Sequence, residues 1–175
     1  LDKDYQRDAF IERFWKVRDP YPDTGRNELR EAWDERVAEA RQVFGGLDDE
    51  RAEIFLLNGP PAVREVDSCG ILLWPTEVWL YSSASRVREP FVVVFHQRFG
   101  QGKWRLWQPA DGLAALFQAP PPTTTMQALL AEIEIACVRS PNFVGAISAV
   151  LRRGQFGYTT VLAKVLEPIE APSRE

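Results

Sequence analysis

The residues able to do chemistry fall into four small sets. The first is an acidic run, Asp48-Asp49-Glu50, followed by Arg51. Paired carboxylates can move protons or hold a divalent cation. This run lacks the alternating oxygen ligands and central glycine of a calcium loop, so a solvated polar turn is the plainer reading. The second is Arg18-Asp19, placed where a helix must stop before Pro20. Asp19 there can accept turn N–H bonds, and Arg18 can pair with a carboxylate such as Glu28 or Glu77. Arg13, Arg18, Asp19 and Arg51 together suit a structural ion-pair network, with an anionic-ligand site as the sharper alternative. The third is His96, the only histidine, which alternates with Val92 and Val94. No G-x-S-x-G or comparable nucleophile motif accompanies it, so a packed imidazole is the plainer reading. The fourth is Cys69 and Cys137, which allow one disulfide at most. Two small buried thiols are the expectation, and a bridge in an oxidising compartment is the alternative.

Other chemistry is harder to find. One histidine and two cysteines are too few for a zinc site. Gly59-Pro60-Pro61 is no phosphate loop, because no Lys-Ser/Thr follows and proline supplies no N–H. Net charge is −4, which gives no basic face for nucleic acid. Trp15, Trp33, Trp74, Trp79, Trp104 and Trp107 are spread too evenly for a base-stacking platform. Core packing accounts for most of them, with Trp74 and Trp107 as candidate surface anchors.

The elements that position these residues can be read from periodicity. Phe10, Phe14 and Val17 form an apolar strip on a helix over 4–17, with Ile11 and Trp15 beside it. A second helix over about 26–44 carries Leu29, Trp33, Val37, Ala40 and Phe44, with Thr24 as the expected cap and Gly45-Gly46 as the stop. The short apolar run 54–57, followed by Asn58-Gly59-Pro60-Pro61, suits a buried strand. Further strands are expected at 71–74, 78–81, 91–97 and 104–108. The last two form an antiparallel hairpin around Phe99-Gly100-Gln101-Gly102. A turn of helix is expected over 111–117, and Pro120-Pro121-Pro122 marks a spacer. Three helices then follow, over 126–137 capped by Thr125, from Ser140 to Gly154, and over 156–166.

The fold class is therefore α+β. Two N-terminal helices pack on a small antiparallel sheet, followed by a C-terminal helical segment. The expected division is 1–118 as one α+β domain and 119–175 as Pro-rich spacer and helices. No apolar run reaches the ~20 residues needed to cross a bilayer. Leu1 does not open a signal peptide, and the chain reads as a piece of a longer protein.

Three stretches carry a family resemblance: residues 10–20 (FIERFWKVRDP), 52–61 (AEIFLLNGPP) and 76–81 (TEVWLY). With Asn27-Glu28-Leu29-Arg30-Glu31 and Arg36-Val37-Ala38, they resemble the GWxTD domain, a bacterial family without an established activity. The resemblance covers residues 5–110. It aligns the name-giving pentapeptide with Gly46-Leu47-Asp48-Asp49-Glu50. Leu47, Asp49 and Glu50 stand where the family has Trp, Thr and Asp, so only the glycine is kept. The resemblance implies a bacterial, exported protein of the periplasm or cell envelope that carries further domains.

The residues expected to touch a ligand or partner are Arg18, Asp19, Asp49, Glu50, Arg51 and Trp79. No catalytic residue, metal or cofactor is assigned. The leading expectation is a non-enzymatic interaction module whose partner is another protein or a further domain of the same chain. One alternative is a hydrolase-type enzyme using Asp49 or Glu50 with Arg51 and His96. Another is a cytosolic scaffold that docks a partner through its C-terminal helices.

Overall fold

The computed structural model describes residues 3–84, 87–119 and 125–168. It contains helices and one four-stranded antiparallel sheet, ordered β1-β2-β3-β4. The helices are α1 (Asp4–Val17), α2 (Glu28–Phe44), α3 (Glu50–Asn58), α4 (Met126–Ala136) and α5 (Pro141–Val165). The strands are β1 (Val63–Asp67), β2 (Thr76–Tyr81), β3 (Phe91–His96) and β4 (Arg105–Leu106). Among the described residues, no helix is long and apolar enough to cross a membrane.

The α+β class holds, but the layering differs from the expectation. Side chains of successive strand residues point to opposite faces. Register therefore places Glu77, Trp79 and Tyr81 with Val93 and Phe95 on one face of the sheet. Val78 and Leu80 lie with Val92 and Val94 on the other. The first face meets α3 and the end of α2, where Phe44 stacks on Trp79 at 5.8 Å. The second is covered by α5, which packs on β1, β2 and β3. Helix α1 does not reach the sheet core and buries no residue. It is held through the Trp15–Trp33 ring contact at 6.4 Å, and through Asn27 Nδ2, which donates to the Trp15 carbonyl at 2.8 Å.

Four local corrections follow. The run 54–57 is helical, because Asp49 caps α3 by accepting the Arg51 N–H at 2.9 Å, and a short apolar run has no period of its own. Strand β1 has no apolar alternation to announce it. It is charge-rich, yet Arg64, Glu65 and Asp67 each find a partner. Helix α2 is capped by Asn27, whose Oδ1 accepts the Arg30 N–H at 2.9 Å, while Thr24 bonds to the carbonyls of Tyr21 and Arg26. Gly45, at φ 73°, makes the expected left-handed stop. Gly154 does not end a helix. The inward series Leu151, Tyr158, Leu162 and Val165 runs through it, so burial outweighs the ~1 kcal/mol cost of a helical glycine.

The segment 71–74 contributes only a bridge from Leu73 to Phe117 instead of a strand, and 3₁₀ turns stand at Pro109–Asp111 and Leu113–Ala115. The expected hairpin of β3 and β4 is present, with Arg105 opposite His96. The spacer at Pro120-Pro121-Pro122 lies outside the described residues.

Cys69 and Cys137 are joined in a disulfide, in place of the two free thiols expected. It fastens the β1–β2 connection to the end of α4. Beside it, Ser140 donates to Asp67 Oδ2 at 2.5 Å, and Glu65 accepts from Asn142 and from the Phe143 N–H. Burial pushes the Asp67 carboxyl up, but the Ser140 hydroxyl and the Cys69 and Ser68 N–H groups hold it below its ordinary value. The corner between α4 and α5 is thus pinned to the sheet covalently and by hydrogen bonds.

Candidate functional site

Three places in the molecule collect the residues singled out by sequence. The first is a charged network between α3 and the sheet. Glu77 is fully buried on β2. Its Oε2 accepts from Arg51 Nη1 at 2.8 Å, and its Oε1 accepts from Arg64 Nε at 2.8 Å and Trp79 Nε1 at 2.7 Å. Arg51 also grips Asp49 with two donors, at 2.9 and 2.7 Å. These carboxylates push the Arg51 guanidinium up, against the opposing effect of burial. Aromatic faces close the network: Arg51 lies over Trp104 and Phe44, and Arg64 over Phe44 and Trp79. Two cations and two anions sum to zero, and every charged group has a partner. Asp49, Arg51 and Trp79 are therefore tied to one another through Glu77 as joints of the core. Trp79 has no exposed surface.

Arg18 and Asp19 lie elsewhere. Asp19 Oδ1 accepts the Tyr21 N–H at 2.9 Å, the turn role its position suggests. Arg18 stacks on Phe14 at 3.7 Å and donates to the Phe14 carbonyl. Neither expected carboxylate pairs with it. Glu77 is engaged by Arg51 and Arg64, and Glu28 accepts from Thr24.

The second place is an apolar groove of about 290 Å³ between α1 and α2, lined by Phe14, Trp15, Leu29, Trp33, Leu57 and Pro168. Around it α1 exposes Phe10, Ile11 and Val17, with Phe10 55% exposed. A helix whose apolar strip meets so little of its own domain is unusual, because helices hold their shape mainly by burying that strip. Of the two tryptophans read as surface anchors, Trp107 is buried and Trp74 is half-buried against Phe99. The C-terminal helices expose Ile135 and Val138 on and just beyond α4, while α5 spends its apolar stripe on the sheet.

The third place is a polar cleft of about 240 Å³ at the β3–β4 end of the sheet. His96, 4% exposed, lines it together with Glu50, Arg98, Arg105, Gln108 and Asp111. Glu50 Oε2 accepts the Leu106 N–H at 2.6 Å, and Asp111 Oδ2 accepts the Gln108 N–H at 2.8 Å. His96 Nδ1 is buried with no hydrogen-bond partner among the described residues. Burial holds the imidazole pKa below its ordinary value, against the raising influence of Asp111 and Glu50. The ring shares the cleft with two guanidiniums and two carboxylates.

The cleft unites Glu50 and His96 but not their expected companions, since Asp49 and Arg51 are taken up by the Glu77 network. Arg98, Arg105 and Asp111 were not foreseen. A usable signal existed, because an antiparallel hairpin turning at 99–102 sets Arg105 across from His96. Among the described residues, no group of three or more His, Cys, Asp or Glu side chains is placed to hold a metal. No family model, curated protein or solved structure matches the chain.

Proposed function

We propose that this chain is a non-enzymatic interaction module of a longer, exported bacterial protein, and that the α1–α2 groove is where it engages its partner. The observation that carries this reading is the apolar face of α1, which has no fully buried residue, leaves Phe10, Ile11 and Val17 exposed and only half-buries Phe14 and Trp15. Two neighbouring helices leave a groove that a third helix can fill by ridge-into-groove packing. The partner is accordingly an amphipathic helix of another protein, presenting apolar side chains at i, i+3 or i+4, and i+7. The disulfide supports an oxidising compartment, in line with the GWxTD resemblance, over the cytosolic scaffold. The hydrolase-type reading retains Glu50 and His96 in one cleft but loses Asp49 and Arg51.

A photo-crosslinking side chain at position 11, in the full protein expressed in its host, tests the groove. A single adduct mapping to an amphipathic helix of one protein is expected, and Phe14→Asp should abolish it. An adduct to a second copy of this chain, a scatter of unrelated adducts, or none would each overturn the reading. The compartment has its own measurement. Protein isolated without reductant should show no titratable thiol. Reduction should lower unfolding stability by about 4 kcal/mol, the loop-entropy value for the 68-residue separation.

A further inference from the structure

The polar cleft is independent of the helix groove and shares no residue with it. Its charges are arranged in a way that the core network is not. Arg98 and Arg105 have no ion pair among the described residues; Arg98 only lies against the Phe99 ring. Glu50 and Asp111 are each fixed by one backbone N–H, which orients the carboxylates without neutralising them. His96 adds a buried ring nitrogen that lacks a partner. Buried polar atoms in folded proteins nearly always have one; His96 Nδ1 is one of five side-chain atoms without one among the described residues, and the one that belongs to the lining of this cleft.

The sign pattern narrows the ligand. A simple anion drawn to the two arginines meets Glu50 and Asp111. A simple cation drawn to the two carboxylates meets Arg98 and Arg105. A small molecule carrying both charges satisfies both pairs at once, and like-charge contacts exclude the others. The volume, about 240 Å³, suits a compact molecule, and Leu106 and Ala115 supply the only apolar lining.

We propose that this cleft binds a small zwitterion of the α-amino acid type. Its carboxylate lies on Arg98 and Arg105, its ammonium on Asp111 and Glu50, and a short aliphatic side chain lies toward Leu106 and Ala115. Guanidinium–carboxylate contacts are the strong, geometrically specific part of such a site.

Isothermal titration with L-alanine and L-valine tests this, with acetate, inorganic phosphate and ethylamine as single-charge probes. Saturable binding of the amino acids is expected at concentrations below about 10 mM, with each single-charge probe at least tenfold weaker. Arg105→Gln and Asp111→Asn should each weaken amino-acid binding by about tenfold or more, as loss of one charge-assisted contact requires. Asp111→Asn keeps an oxygen for the Gln108 N–H, and Arg105 is exposed, so both variants should melt like the parent without ligand. Equal binding of acetate or phosphate would overturn the proposal in favour of a plain anion site. Equal binding of ethylamine, or no saturable heat from either amino acid, would overturn it outright.

Discussion

The Glu77 network and the His96 cleft use the same materials to opposite ends. Each contains two arginines, two carboxylates and a neighbouring aromatic or imidazole ring. In the network, the acids and bases meet directly at 2.7–2.9 Å under aromatic cover, and Trp79 fills the remaining valence of Glu77. In the cleft, the acids are held by backbone N–H groups, the arginines lie open, and the ring nitrogen is unpaired. Charge alone does not mark a functional site. What differs is whether the charges have already consumed one another. A buried, self-neutralised set fixes geometry, whereas a set held apart keeps its interaction energy for something else.

That contrast can be broken by substitution. The largest effect is expected from Glu77→Ala, which removes the only carboxylate paired with Arg64 among the described residues, leaves Arg51 with Asp49 alone and deprives the Trp79 N–H of its acceptor. Loss of one member of a buried pair costs about 3–5 kcal/mol, read as a fall in unfolding free energy in urea. If the loss were under 1 kcal/mol, the network would not be a structural joint. Next is Asp49→Ala, which removes the α3 cap and one carboxylate from Arg51 but leaves Glu77 in place. About 2 kcal/mol is expected from the cap and the broken charge-assisted bonds.

The cleft should respond far less. Arg105→Gln should change stability by no more than about 0.5 kcal/mol, as for exposed side chains generally. The smallest effect is a pH signature. The His96 pKa is lowered in the folded state, so the unfolded chain takes up its proton more readily. Its contribution to stability is complete above the ordinary value of 6.5 and is lost as pH falls from there through the lower folded value. His96→Leu should flatten that part of the curve relative to the parent while costing less than about 1 kcal/mol at pH 8, since it removes an unpaired polar group. An unchanged slope between the two proteins would mean that the ring titrates as freely folded as unfolded.

Local signals were legible where the chain decides locally. The bounds of α1, the Thr125 cap of α4, the Gly45 stop and the β3–β4 hairpin all follow from residues within a few positions of one another. Readings failed where distant residues decide. Strand β1 is a strand because Glu77, Ser140 and the start of α5 absorb its charges. Residues 54–57 are helical because Asp49 starts a helix that Phe44 and the sheet then cover. Helix α5 passes Gly154 because the sheet continues beneath it. The same division governs the sites. Asp49, Glu50, Arg51 and His96 could be picked out as ionisable residues in suggestive company. Their separation into a neutral core joint and an open cleft depends on Glu77 and Arg64 in one case and on Arg98, Arg105 and Asp111 in the other. Those partners are brought in by sheet register and by the loops on either side of β4.

The placement of α5 has a consequence for the order in which the molecule is made. Strands β1 to β3 are complete at His96, but the helix that covers their second face ends at Val165. At ordinary synthesis rates of about 5–20 residues per second, the remaining stretch takes roughly 3–14 s to emerge. Throughout that interval Val78, Leu80, Val92 and Val94 form a bare apolar surface, and for more than the first half of it Cys69 has no Cys137 to meet. The nascent chain therefore passes through a sticky stage that lasts until α5 arrives. A chaperone holding the sheet, or an oxidase acting late rather than early, would have most to contribute during that window.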